Sequence, residues 1–120
     1  MFRIAKQFAF SASHQLYGLP EGHQCMRLHG HNYLVEVVLA SPTLDDRGFV
    51  VDYAELDAAV WPFIHDQLDH RHLNDVIDTT TAEVVARSIY DVAASVFGAM
   101  VECVRVSETP KTWAEYRGAE

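Results

Sequence analysis

The stretch Cys25–Ala40, CMRLHGHNYLVEVVLA, decides how the rest of the chain is interpreted. Its second part, residues 31–40, is rich in β-branched and aromatic side chains and predicts a strand. Its first part places one thiol and two imidazoles within seven residues. A metal site, a nucleophile or both would explain this grouping, and so would chance in a chain with seven histidines.

Three further strands are predicted around this stretch. Residues 2–12 alternate apolar and polar side chains, with one break at Lys6, and predict a first strand before a loop at residues 13–30. Residues 100–107 predict a third strand, and residues 112–117 a weaker fourth.

A first helix is predicted after the second strand. Asp52, with Glu55 three positions later, has the spacing of a capping box. Pro62 predicts a kink or a break inside the helix. Its apolar side chains recur at helical spacing, at Leu56, Val60, Phe63 and Ile64.

A second helix is predicted before the third strand. A second capping box, Thr80–Glu83, opens it, and Gly98 ends it. Its predicted apolar face consists of Val85, Ile89, Val92, Val96 and Phe97. Between the two helices, residues 69–79 form a polar loop.

The order strand, strand, helix, helix, strand, strand predicts an α+β fold. Two helices would cover one face of a four-stranded antiparallel sheet, in a single domain of residues 1–120. The second face and the two sheet edges would stay uncovered, and self-association is one way to cover them.

Composition excludes several classes of partner. A net charge of −8 argues against nucleic acid and anionic membranes, because both require a basic face. No apolar run is long enough for a membrane span, and the first residues do not have the form of a signal peptide, so a cytoplasmic protein is expected. Cys25 and Cys103 are expected to be thiols, with Cys103 in the core of a strand.

Three histidines form the candidate metal site. His29 and His31 point to the same side of a strand because they are two residues apart. If the first two strands pair as a hairpin, His14 returns beside them. Three neutral imidazoles suit zinc and leave its fourth position to water or substrate.

Cys25 has two functional interpretations. It could be a fourth zinc ligand in a closed structural site, or a base or nucleophile beside the metal. A plain loop thiol is the alternative. Asp69 and His70 form a weak acid–base candidate, since neighbours in sequence bond through their side chains only where the backbone bends. Glu108 is either a solvated strand-end carboxylate or an anchor for a flat heterocycle.

These motifs, in this order, resemble the 6-pyruvoyltetrahydropterin synthase / 6-carboxytetrahydropterin synthase family over nearly the whole chain. The motifs are His14 after Phe-Ser-Ala-Ser, the Cys25–His31 stretch, the Leu68–Asn74 segment with Asp69-His70, Thr81-x-Glu83, and Glu108. The resemblance implies the tunnelling fold. In that fold sheets join around a barrel, usually as a homohexamer of two stacked trimers with active sites between subunits.

The resemblance also implies roles for the candidate residues. His14, His29 and His31 would bind zinc, and Cys25, Asp69 and His70 would be catalytic. Contacts to the substrate would come from Glu108, from backbone near Thr80 and Thr81, and, as a guess, from Arg27 to a triphosphate.

The three-residue spacer between Cys25 and His29 resembles the bacterial 6-carboxytetrahydropterin branch of the queuosine and 7-deazapurine route. The implied reaction converts 7,8-dihydroneopterin triphosphate to 6-carboxy-5,6,7,8-tetrahydropterin, acetaldehyde and triphosphate. Alternatives are a pyruvoyl-forming synthase or related pterin side-chain lyase, an inactive pterin binder, and a structural zinc protein. Whether the product feeds tRNA modification or a deazapurine natural product is left open by the sequence.

Overall fold

Four antiparallel strands form one sheet in chain order in the computed structural model, which describes residues 1–119. Glu120, the last residue of the predicted domain, lies outside the described residues. The strands are β1 (Phe2–His14), β2 (His29–Ser41), β3 (Val101–Thr109) and β4 (Thr112–Tyr116).

The even-numbered residues of β1 face the core. Phe8, Phe10 and Ala12 are buried there, and His14 continues the same side at 1% exposure. Lys6 does not break this alternation, because its Nζ lies 3.8 Å from Asp57 Oδ1 at the margin of the core.

Both β1 and β2 extend beyond their predicted bounds because their ladder continues into the expected loop. His14 pairs with His29, and Ala12 pairs with His31. The predicted hairpin is therefore confirmed, and it places three imidazoles at one end of the sheet. The intervening loop contains a single 3₁₀ turn, Gln24–Met26.

The first helix, α1, spans Tyr53–Phe63 and begins where predicted. Asp52 Oδ1 accepts the Ala54 N–H at 2.8 Å. The capping box is not formed, because Glu55 accepts from Arg47 Nη2 at 3.0 Å instead. Two residues after Pro62 the helix widens into a π turn, Ile64–Leu68, which closes with Asp69 N–H donating to Ile64 O at 2.8 Å.

The second helix, α2, spans Ala82–Phe97, and its cap is Thr81 rather than Thr80. Thr81 Oγ1 accepts the Val84 N–H at 3.3 Å. The predicted apolar face is wrong at Val96, which is 61% exposed, because the buried stripe runs through small side chains such as Ala93. Gly98 ends the helix as predicted, at φ 56°.

The two helices pack on one face of the sheet, as predicted, around a buried core that includes Val35, Leu56 and Ile89. The other face carries a charged ladder in which Arg105 lies 3.6 Å from Glu36 and 3.7 Å from Glu115.

The Cys103 thiol is buried, and burial raises its pKa to about 11. Neither α1 nor α2, nor any other described helix, has the length and apolarity for a membrane span.

Candidate active site

The three predicted histidines lie together at the end of the β1–β2 ladder. One ring nitrogen from each of His14, His29 and His31 lies within 4.8 Å of the other two. Strand alternation and register produce this cluster, because His14 and His29 are opposite each other and His31 is two residues along the same face. The prediction that the three imidazoles meet is confirmed.

Backbone carbonyls fix the tautomers of two of these rings. His14 Nδ1 donates to Thr80 O at 2.8 Å, and His29 Nδ1 donates to Arg27 O at 2.6 Å. Because a carbonyl only accepts, both Nδ1 atoms carry the proton, and both Nε2 atoms of the neutral rings present lone pairs.

Those two lone pairs face each other. The Nε2 atoms of His14 and His29 are 2.9 Å apart, a hydrogen-bond distance at which a shared proton or a bound cation would relieve the repulsion of the two lone pairs. Metal-bound histidines commonly donate their other nitrogen to a backbone carbonyl in this way. In a tetrahedral site with bonds of about 2.1 Å, two ligand nitrogens are about 3.4 Å apart, so small ring shifts suffice.

His31 supplies the third nitrogen. Its Nε2 lies 3.2 Å from Glu108 Oε2, but the approach does not have hydrogen-bond geometry. The atom is therefore buried without a hydrogen-bond partner among the described residues. Burial lowers the pKa of His31, and His14 and His29 lower it further against the opposing effect of Glu108. A lowered pKa favours the neutral ring, which is the form that binds metal.

Cys25 lies outside this cluster but beside it. With His29 and His31 it lines a cavity of about 220 Å³. Its sulfur is not among the ligand atoms that lie within 4.8 Å of one another. The closed site of one thiolate and three imidazoles is therefore not formed in this structure. The loop is fastened to the end of β1, since Leu16 N–H donates to Cys25 O at 2.9 Å.

Asp69 and His70 form the side-chain pair that the sequence only weakly indicated. His70 has φ 58°, and this bend lets its Nδ1 approach Asp69 Oδ1 to 2.9 Å. The same carboxylate oxygen accepts the Ser11 N–H at 3.0 Å. That bond and, less strongly, His70 lower the pKa of Asp69. The His70 side chain is 82% exposed and does not line the Cys25 cavity.

The predicted substrate-contact residues lie in several places. Glu108 lines a cavity of about 290 Å³ with Trp113, Glu83 and neighbours. Thr80 is buried and supplies its carbonyl to His14, while Thr81 caps α2. Arg27 is exposed on the loop, and its carbonyl holds His29.

Two residues of the site were given no role by sequence reasoning. Tyr33 is 1% exposed, packs edge-on against His14 and His31, and has no hydrogen-bond partner for its hydroxyl among the described residues. Its place on β2, two residues after His31, was the available signal. Asn74 clamps the backbone after His14, accepting from Gln15 N at 2.9 Å and donating to Gln15 O at 2.8 Å.

Comparison with known proteins places this geometry in a family. The family model described as 6-pyruvoyl tetrahydropterin synthase matches residues 3–119. The chain belongs to the 6-pyruvoyl tetrahydropterin synthase family.

Relatives in this family carry two names. The chain is 35% identical to a 6-carboxy-5,6,7,8-tetrahydropterin synthase of Bacillus subtilis, over 97% of this chain and 85% of the relative. It is also 35% identical to the enzyme of that name from Synechocystis, over 97% and 93%. A solved 6-pyruvoyl tetrahydropterin synthase of Caenorhabditis elegans superposes with a TM-score of 0.86 at 27% identity, covering 98% and 96%. The proteins similar in sequence and the protein similar in fold therefore both belong to the 6-pyruvoyl tetrahydropterin synthase family.

Proposed function

We propose that the chain is a zinc-dependent lyase of the 6-carboxytetrahydropterin branch. It converts 7,8-dihydroneopterin triphosphate and one water to 6-carboxy-5,6,7,8-tetrahydropterin, acetaldehyde and triphosphate. The observation that carries the proposal is the cluster of His14, His29 and His31 beside the thiol of Cys25. The bacterial relatives named 6-carboxy-5,6,7,8-tetrahydropterin synthase support the choice of branch.

The three histidines would hold zinc, which in such an open site polarises the hydroxyl groups of a substrate and lowers their pKa. Thr80 and Arg27 keep the rings of His14 and His29 in the tautomer that binds it. Glu108 would accept two hydrogen bonds from the amino-pyrimidinone edge of the pterin, which fixes the ring relative to the histidines.

Two groups would move protons. Cys25, as a thiolate, would remove a proton from the substrate side chain, and His70 would return one. Asp69 supports His70 because its Oδ1 lies 2.9 Å from His70 Nδ1 and would stabilise the imidazolium. Thr81 and Arg27 complete the proposal as contacts to the pterin and the triphosphate.

The proposed site needs a second copy of the chain. Cys25 and His70 line different cavities, and His70 is exposed. We propose that Asp69 and His70 of a neighbouring copy complete the site around Cys25, in a homohexamer whose sheets join around a barrel. The uncovered charged face and the free edges of β1 and β4 support such an assembly.

A product assay tests the function. Zinc-loaded protein is incubated with 7,8-dihydroneopterin triphosphate, and the products are identified by mass spectrometry. We expect acetaldehyde and 6-carboxytetrahydropterin, and Cys25→Ala is expected to keep its zinc and fold while losing most turnover. A 6-pyruvoyl product would assign the chain to the sister activity, which the C. elegans likeness favours. A Cys25→Ala variant with the wild-type rate would exclude the thiol from the chemistry.

A further inference from the structure

A second cavity, of about 460 Å³, lies where the segment after α1 runs beside β1. His70 N–H donates to Ser11 O at 2.7 Å, and Ser13 N–H donates to Arg71 O at 3.1 Å, so backbone bonds hold its wall. The volume lies within the range of about 300–1,000 Å³ that is usual for small-molecule sites.

The lining of this cavity suits an anion. It contains hydroxyl, amide, imidazole and guanidinium groups and no carboxylate, in a chain with 17 acidic and 9 basic residues. Ser11 Oγ donates to Asn32 Oδ1 at 2.6 Å, which leaves the Asn32 amide nitrogen to donate elsewhere. Ser13 Oγ and His72 Nδ1 are 3.0 Å apart and share one hydrogen bond. The Asn32 amide nitrogen, and one of Ser13 and His72 whichever way their shared bond runs, can therefore donate to an oxyanion.

Arg71 supplies a fixed positive charge to the lining. Arginine ion pairs among the described residues involve Arg3, Arg47, Arg105 and Arg117. None involves Arg71, which is exposed at the cavity wall. An unpaired guanidinium is well suited to phosphate because it offers a planar fork of donors.

The position of the cavity links it to the chemistry proposed above. Arg71 and His72 directly follow His70, and all three line the cavity with His31. A substrate that receives a proton from His70 therefore meets these donors, whichever copy of the chain holds its pterin ring.

We propose that this cavity, with Arg71 as its principal cation, binds the triphosphate group of the substrate. The inference rests on the proposed function, because that function supplies the triphosphate. It replaces Arg27 as the principal contact, because both arginines are exposed but only Arg71 lines this cavity.

The test compares two ligands that the enzyme does not turn over, the oxidised pterins neopterin triphosphate and neopterin. Their dissociation constants are measured by pterin fluorescence on zinc-loaded wild type, Arg71→Ala, Arg71→Lys and, as the matched control, Arg87→Ala. Arg27→Ala is measured beside them as the rival contact to the triphosphate. Arg87 is an exposed arginine on α2, away from this cavity. Zinc content and circular dichroism confirm that each variant is folded.

Wild type is expected to prefer neopterin triphosphate. Arg71→Ala should reduce that preference by about 10- to 100-fold, because a charged hydrogen bond contributes about 1.5–3 kcal/mol and each 1.4 kcal/mol is tenfold. Arg71→Lys should fall between Arg71→Ala and wild type, and Arg87→Ala should match wild type. Arg27→Ala should lose less of the preference than Arg71→Ala. An unchanged preference in Arg71→Ala, or a loss confined to Arg27→Ala, overturns the proposal and leaves the proposed function intact.

Inorganic tripolyphosphate separates the cavity from the pterin chemistry. If calorimetry shows Arg71-dependent binding of tripolyphosphate while neither pterin binds wild type, the anion site stands and the proposed function fails. If tripolyphosphate binds wild type and Arg71→Ala equally, or binds neither, the anion site fails.

Discussion

Backbone carbonyls decide which nitrogen two of the three clustered imidazoles can offer to a cation. Thr80 O accepts a hydrogen bond from Nδ1 of His14, and Arg27 O accepts one from Nδ1 of His29. The rings are therefore held ready to bind a cation, and the order in the site comes from main-chain atoms that no side-chain motif reveals.

Removal of one imidazole should abolish metal binding. His31→Ala is expected to lower zinc affinity by more than about 100-fold, because loss of a ligand costs more than the 10- to 100-fold that follows loss of a group supporting a ligand. The measurement is zinc content by mass spectrometry after dialysis, with His65→Ala as the control. His65 is an exposed histidine in the π turn after α1. Full zinc content in His31→Ala would falsify the ligand assignment.

Asp69 should stabilise the fold only where its carboxylate is charged. Its pKa is lowered, first by the Ser11 N–H and then by His70. Stability from a lowered carboxyl pKa is complete above the unfolded value of about 3.9 and is lost as pH falls through the folded value. Asp69→Asn should therefore cost about 1 kcal/mol at pH 7 and progressively less below about pH 4. Urea unfolding across this pH range measures the difference, and a cost that grows on acidification would contradict it.

At the scale of elements, the cap of α2 connects helix and metal site. Thr81 caps the helix, which leaves the preceding carbonyl, that of Thr80, to His14. Had Thr80 been the cap, as the sequence spacing suggested, the helix would begin one residue earlier. A one-residue change in the start of α2 would therefore change the support of a candidate metal ligand, His14, on β1.

Thr81→Ala should destabilise the protein by about 1 kcal/mol through loss of this cap. Thr79→Ala is the matched control, because Thr79 is exposed two residues earlier and caps nothing among the described residues. Chemical denaturation measures the free energy of unfolding of both variants, and only Thr81→Ala should be less stable than wild type. Equal stability of the two variants would show that Thr81 is not the cap in solution.

Elements were predictable where periodicity reports burial directly. The alternation in β1 and β2, the Asp52 cap and the Gly98 stop are local signals, and the structure contains all of them. Val96 was misassigned because α2 buries small alanines beside the larger residues, and hydrophobic size alone does not show which stripe packs.

The candidate site also has one part that the sequence predicts and another that it does not. The histidine cluster follows from strand register, which alternation and one hairpin determine. The Asp69–His70 contact depends on the positive φ of His70, and the Arg71 cavity depends on a segment lying beside β1. Both are long-range results of packing, so the residues alone gave little weight to the Asp69–His70 pair and no indication of the Arg71 cavity.

At the scale of the whole molecule, the separation of Cys25 from His70 makes a prediction about mixed assemblies. Cys25→Ala and His70→Ala are each expected to be nearly inactive. Co-expressed in equal amounts, they should recover about a quarter of wild-type activity, since in random mixing about one site in four receives both intact residues from two chains. Native mass spectrometry checks that mixed assemblies form. No recovery in confirmed mixed assemblies would place both residues in one chain's site.

The direct pairing of His14 with His29 also bears on how the chain folds. Side chains alternate faces along a strand, so a slip of one residue between β1 and β2 would turn His29 and His31 away from His14. A misaligned hairpin could then offer at most two imidazoles on one side. A metal ion could then bind all three imidazoles only in the correctly aligned hairpin. Metal binding would therefore stabilise the correct register of the sheet before the ion takes part in any reaction.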